Sequence, residues 1–256
     1  MDGLTLAAPP DASPLDDPLR LPLLPPTTVA TFGPTLVVAP HPDDESLGCG
    51  GALALLAAAG IPAHVLFVSD GTGSHVDSPS FPPARLRALR EAEALAALAR
   101  LGLAADRATF LRLPDTAVPQ AGHADFDAAA AQVHALLLVH RPATLLVPWR
   151  GEYHCDHVAS WQLVHAAAAQ LAHRPRLLEY PIWLYDRTMP HRPPSSADVH
   201  GWRLDITPAL ARKQAAIHEH RSQLTDLIPD ARQSFRLAPT FLANFAHPWE
   251  IYLEER

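Results

Sequence analysis

Lysine occurs once in these 256 residues, at Lys213, and the formal net charge is -7. Non-specific binding to nucleic acid is driven by clustered Lys and Arg, so neither DNA nor RNA is an expected partner. Cysteine is almost as scarce. Cys49 and Cys155, far apart in sequence, build no disulfide framework and suit a reducing compartment. Long apolar runs are missing as well: Ala52 to Ala59 is far short of the ~20 residues that span a bilayer, and Gly60 and Pro62 end it. The opening MDGLTLAAPPDASPLDDP carries acids and prolines where a secretory leader has a basic start and an apolar core. A soluble cytoplasmic protein without membrane contact is expected.

What is present suits one α/β domain. Hydrophobic residues make up 48% and charged residues 18%, a globular balance. Proline, at 27 residues, is about twice its usual ~5% share and gathers near the start and at Pro190–Pro194. Residues 1–30 therefore read as a Pro-rich N-terminal arm and 31–256 as a single domain. Apolar runs at Thr35–Ala39, His64–Val68, Ala108–Leu111 and Thr144–Val147 read as buried strands. Helix candidates follow each: Ser46–Ala59, Pro83–Leu101, Ala124–His140 and Asp156–His173. This alternation predicts an α/β fold with a parallel sheet and helices on both faces. Beyond residue 175 the pattern loosens. Leu177–Ile182 and Trp249–Leu253 read as strands, and Pro208–Leu224 as a helix with Thr207 as its N-cap.

Pro40-His41-Pro42-Asp43-Asp44-Glu45 directly follows the first strand, where open parallel sheets place their ligand crevice. His41 and Asp44 offer an imidazole and a carboxylate to one cation, and Asp43 between them can point elsewhere: two ligands flanking a base. Helix capping would account for one isolated aspartate, but not for His, two Asp and Glu within five residues. A catalytic zinc site takes three protein ligands and leaves one position open, so a further ligand must come from a neighbouring strand. In a sheet of order 3-2-1-4-5 the fourth strand lies beside the first, and it leads into Trp149-Arg150-Gly151-Glu152-Tyr153-His154-Cys155-Asp156-His157. His154 and His157, three apart at a helix start, can both face the crevice. Cys155 reads as a small buried residue rather than a thiolate ligand.

APHPDDESLGCGG at 39–51 and HCDH at 154–157 resemble the two metal motifs of the PIG-L/LmbE-like deacetylases, zinc hydrolases of N-acetylglucosamine derivatives. The likeness extends through SDGTGSH at 69–75, Arg90 and Glu93, Leu113-Pro114-Asp115, and the segment from Lys213 to Ser222-Gln223. It implies a Rossmann-like three-layer sandwich with a mostly parallel sheet, and Zn2+, or another divalent ion such as Fe2+, held by His41, Asp44 and His157. It further implies Asp43 as general base, His154 as electrophile or general acid, and Asp156 as the group that orients His154. Arg90 and Asp115 become contacts for substrate hydroxyls, with Asp70 and Tyr153 as further substrate-binding candidates. The implied substrate is a small N-acylated amino sugar or conjugate. Two departures bear on loop shape: Cys155 replaces a frequent Pro, and Glu152-Tyr153 replaces a small or acidic pair.

Other readings of the same residues stay open. Ser46 and Ser69 lack the G-x-S-x-G turn of a nucleophilic serine. Asp70-Gly71 reads first as a turn, and Arg90, within a run of charges, as part of a solvated helix face. Trp149, Trp183, Tyr185 and Trp249 read as core or rim, and His218 and His220 as surface or packing residues, with pocket lining as their alternative. An amidase acting on a larger thiol-sugar or antibiotic conjugate is the alternative enzyme. A metal-binding regulatory subunit is the non-catalytic alternative, weakened by Asp43, since a structural zinc needs no spare carboxylate.

Overall fold

A computed structural model describes residues 13–256. The strands are β1 (Leu23–Leu24), β2 (Thr35–Ala39), β3 (Ala63–Ser69), β4 (His75–Val76), β5 (Ala108–Leu113), β6 (Thr144–Pro148), β7 (Arg176–Tyr180), β8 (Val199–Asp205), β9 (Gln233–Ser234) and β10 (Trp249–Glu255). The helices are α1 (Asp44–Ala58), α2 (Pro83–Leu101), α3 (Phe126–His140), α4 (Cys155–Ala168), α5 (Leu210–Ile217), α6 (Arg221–Leu224) and α7 (Pro239–Leu242). Eight strands form one sheet in the order β1-β8-β10-β7-β6-β2-β3-β5, and β4 pairs with β9 in a separate ribbon.

The segment from β5 through β3, β2 and β6 to β7 is wholly parallel, as the sequence predicts. Because strand side chains alternate in direction, Val37, Val65 and Leu146 join one core with α1, α2 and α5, while Leu36, Leu66 and Leu145 join the other with α3 and α4. Both faces are covered, which explains why β2 and β6 are buried at every position. The bounds of α2 match the sequence reading because both ends are punctuated: Pro83 opens it, and Gly102 closes it at φ 90°. Helix α1 lies close against its neighbours. A Cβ on Gly48 would stand 2.3 Å from the Tyr180 ring, and one on Gly51 would stand 2.5 Å from Ile206.

Several boundaries differ from expectation. Helix α1 starts two residues early because the Asp43 carbonyl already accepts from Ser46 and Leu47. Helix α4 stops at Ala168. The helix expected over 208–224 breaks into a 3-10 turn, α5 and α6. Thr207 does not cap it; its backbone N–H instead donates to the Asp205 carboxylate. Strand β8, interrupted by Gly201 and carrying Arg203, has no clean alternation and escapes a sequence reading. Part of the expected arm, residues 1–12, lies outside the described residues, whereas Leu23–Leu24 pair in parallel with β8 at the sheet edge. Among the described residues no helix is long and apolar enough to cross a membrane.

Candidate active site

The turns after β2 and β6 meet at one end of the sheet, joined by those after β3 and β5. They surround a cleft of about 330 Å3 whose polar lining includes His41, Asp43, Asp44, Arg90, Asp115 and His154. Ile182, Trp183, Phe235 and Leu237 supply an apolar lining, and Gln233 comes from the small ribbon.

The first turn is strained. Asp43 sits at φ 144°, a conformation that costs a non-glycine residue on the order of 1–3 kcal/mol. Its N–H donates to Glu45 Oε2 at 2.9 Å. Arg90 reaches in from α2, donating to the Pro42 carbonyl (2.7 Å), the Gly71 carbonyl (2.9 Å) and Asp43 Oδ2 (3.3 Å). Gly71 has φ 67°, and a Cβ there would lie 2.9 Å from the Arg90 guanidinium. Burial, aided by Asp44 and opposed by Arg90, raises the Asp43 carboxyl to about 7.

Asp44 Oδ2 is the point of convergence. It accepts the His41 N–H at 2.9 Å and stands 3.3 Å from both His41 Nδ1 and His157 Nε2. The far nitrogen of each imidazole faces a carboxylate: His41 Nε2 lies 3.1 Å from Asp156 and 3.3 Å from Asp115, and His157 Nδ1 lies 2.6 Å from Glu152. Glu152 is itself fixed by the N–H groups of Ile182 (2.6 Å) and Leu184 (3.4 Å). Burial lowers both imidazoles, but the surrounding carboxylates prevail, raising His41 well above its ordinary value and His157 to about 9. Asp44, despite burial, is held far below the carboxylate range by His157 and His41.

The cluster has the chemistry of a cation site. His157 Nε2 is buried without a directed hydrogen-bond partner among the described residues, although it faces Asp44. An M2+ ion among these groups would supply the charge otherwise brought by two imidazole protons. Among the described residues, the trios whose donor atoms gather within 4.8 Å are His41–His154–His157, His154–Cys155–Asp156 and His41–Asp115–Asp156, so that His41 and His157 appear as expected while Asp44 is in none of the three.

Other expected site residues take different places. Asp156 does not turn its carboxylate to His154. It receives the N–H groups of Thr116 (2.7 Å) and Val118 (3.1 Å) and faces His41, while its own backbone N–H reaches His154 Nδ1 at 3.3 Å. With burial and two raised histidines beside it, His154 falls to about 3, so the charged form expected from an Asp156 pairing is disfavoured. Cys155 is only half-buried, its Sγ donating to the Thr116 carbonyl at 3.5 Å. Arg90 is buried rather than solvated. Asp115 accepts the Gly73 N–H at 2.8 Å as well as facing His41. Asp70 is absent from the cleft lining. It forms a turn, accepting from the Thr72 N–H at 3.1 Å and hydroxyl at 2.8 Å. Tyr153 does line the cleft, edge-on to Trp183 at 5.5 Å.

Sequence reasoning missed two groups. Glu152 was visible as an acid shortly before HCDH, but nothing local tied it to His157. His220, read as surface or packing, lies fully buried with Nε2 3.0 Å from Glu45, while His218 is exposed.

With this fold and site, the sequence matches the PIG-L family, described as GlcNAc-PI de-N-acetylase, over residues 36–168. The chain belongs to that family. Among solved structures it is similar to conserved protein TT1542 from Thermus thermophilus at 30% identity, covering 76% of this chain and 81% of that one (TM-score 0.55). The N,N'-diacetylchitobiose deacetylase from Pyrococcus horikoshii shares the fold at 23% identity, covering 79% and 74% (TM-score 0.58). A deacetylase of the A40926 pseudoaglycone shares it at 19%, covering 88% and 98% (TM-score 0.65). So does a 4-carboxy-2-hydroxymuconate hydratase from Pseudomonas putida at 23% identity, with 75% and 80% covered and a TM-score of 0.58, so the fold alone does not fix the reaction. Comparison with curated proteins finds no match.

Proposed function

We propose that this chain is a divalent-metal-dependent N-deacetylase, acting on the acetyl amide of an N-acetylglucosamine-type sugar in the cytoplasm. The observation that carries this reading is the pair of 3.3 Å approaches of His41 Nδ1 and His157 Nε2 to one oxygen of Asp44, beside an aspartate raised to about 7. His41, Asp44 and His157 would hold zinc or Fe2+. Such an ion supplies Lewis acidity, polarising the acyl carbonyl and acidifying water.

Asp43, as a carboxylate, takes a proton from the attacking water and returns it to the departing amine, so water and amide become acid and amine. A carboxyl raised to about 7 suits both transfers near neutral pH. His154 is the neutral electrophile. Its Nδ1 accepts the Asp156 N–H, which leaves the proton on Nε2 to stabilise the oxyanion. Asp156 and Asp115 orient His41, and Glu152 orients His157. Arg90 and Asp115 shape the sugar side of the cleft, and Tyr153 its rim.

The test is acetate release from N-acetylglucosamine and N,N'-diacetylchitobiose, read by mass spectrometry, with zinc, with Fe2+ and after chelation. Metal-dependent deacetylation is expected; turnover unaffected by exhaustive chelation refutes the metal role. A larger antibiotic or thiol-sugar conjugate is the second reading, favoured by Trp183, Phe235 and Leu237 in the cleft lining. A preference for apolar aglycones or longer acyl groups on one sugar scaffold would select it.

A further inference from the structure

Behind the cleft, buried polar groups form a ring that closes on the strained turn. Glu45 has no exposed surface. One oxygen receives the Asp43 N–H (2.9 Å), while the other receives the Ser46 hydroxyl (2.6 Å) and faces His220 Nε2 (3.0 Å). The break between α5 and α6 carries His220 inward. Of the next residues, Ser222 is pinned to α2, donating its N–H (2.8 Å) and hydroxyl (2.6 Å) to Glu93, and Gln223 Nε2 lies 3.3 Å from Ser74 Oγ in the turn after β3. Glu93 lies about one turn along α2 from Arg90, which grips the other side of the Asp43 turn. One turn of α2 thus holds the base from two directions.

We propose that His220 is a positioning residue for Asp43, acting through Glu45 to hold the backbone of the catalytic turn in its strained form. This inference rests on Asp43 being the base. A buried carboxylate needs a partner for each oxygen. Without His220, Glu45 Oε1 keeps only the Ser46 hydroxyl, and the carboxylate is free to turn towards the space the imidazole leaves. Its hold on the Asp43 N–H then weakens, and the turn can relax from φ 144°. The carboxylate would move relative to the ligand set while His41, Asp44 and His157 keep their mutual contacts. A merely structural ion pair would instead alter stability without a selective effect on turnover.

The experiment compares His220→Phe with His220→Gln, whose side-chain N–H can occupy the place of Nε2. With zinc and N-acetylglucosamine as probe, H220F should lose about 10- to 100-fold in kcat, the scale of a misplaced group. KM should stay within about twofold and zinc stoichiometry should not change. H220Q should recover most of the loss. In 15N-labelled metal-free protein, Asp43 amide exchange should be slow in wild type and H220Q, and fast in H220F. Wild-type kcat in H220F, equal damage in both variants, or fast Asp43 exchange in wild type overturns the proposal. If H220F does not fold, wild-type exchange and H220Q still decide it. If wild type hydrolyses no N-acyl amide with any metal, the functional reading fails, while Asp43 exchange still reports the ring.

Discussion

The two turns that meet in the cleft fix their working groups differently. After β2, the backbone itself is bent: Asp43 is held at φ 144° by Arg90 and Glu45. After β6, His154 is an ordinary N-cap at φ -70° and ψ 123°, and a side chain, Glu152, faces His157 at 2.6 Å. The first turn aims a carboxylate by backbone strain, whereas the second aims an imidazole through one acid. Damage to the Asp43 bend should therefore appear in the chemical step, and damage to the Glu152 contact in metal affinity.

The sharpest test of that division is Asp43→Asn, expected to keep its metal while losing ~10²–10⁴ in kcat. Metal loss in this variant, by elemental analysis, would place Asp43 on the ion and erase the distinction between the turns. Next in size is Glu152→Gln, expected to weaken zinc binding ~10–100-fold in a chelator competition, with kcat at saturating metal changed far less. A kcat loss comparable with that of D43N would mean that the Glu152 contact serves the chemical step as well as the metal.

Arg90→Gln probes the first turn through pH. Asp43 must be ionised to act as base, so kcat/KM should fall as pH drops below about 7. Arg90 lowers that carboxyl, and its removal should move the acid limb upward by roughly one unit or more. An unmoved limb would separate Arg90 from the base. The smallest expected effect lies outside both turns. His64 donates to or accepts from Thr109 Oγ1 at 2.8 Å and stacks on His140 at 3.8 Å, and burial chiefly, with His140, pushes it down to about 4. Its folded value is depressed, so its contribution to stability is present above the unfolded value of roughly 6.5 and is lost as pH falls towards 4. Wild-type Tm should drop more than that of His64→Phe between pH 7 and pH 5.

The sequence made the parallel half and both histidine motifs legible because their residues are contiguous and directly follow all-apolar strands. It misassigned groups whose partners are distant. Asp156 lies two positions from His154, which suggested a local pair, yet it faces His41 across 115 positions. His220 and Glu45 are 175 positions apart, and His218-Glu219-His220-Arg221-Ser222-Gln223 has the polarity of a surface helix. Taken without the family likeness, Arg90 likewise reads as solvated, because charge pattern alone does not reveal which face is covered.

Strand β10 follows the other described strands in sequence, yet it lies inside the sheet, antiparallel to both β7 and β8. Until it emerges from a ribosome, β8 and the β1 pairing attached to it have no bridge to the parallel strands. Lys213 also waits for Glu250, its partner at 2.8 Å. The strands bearing the histidine turns can associate early, but the sheet closes only when its final segment slides between two strands already made. That late, non-local insertion should be the slow stage of folding, and a nascent chain stalled just before Trp249 would present two unpaired strand edges to its neighbours.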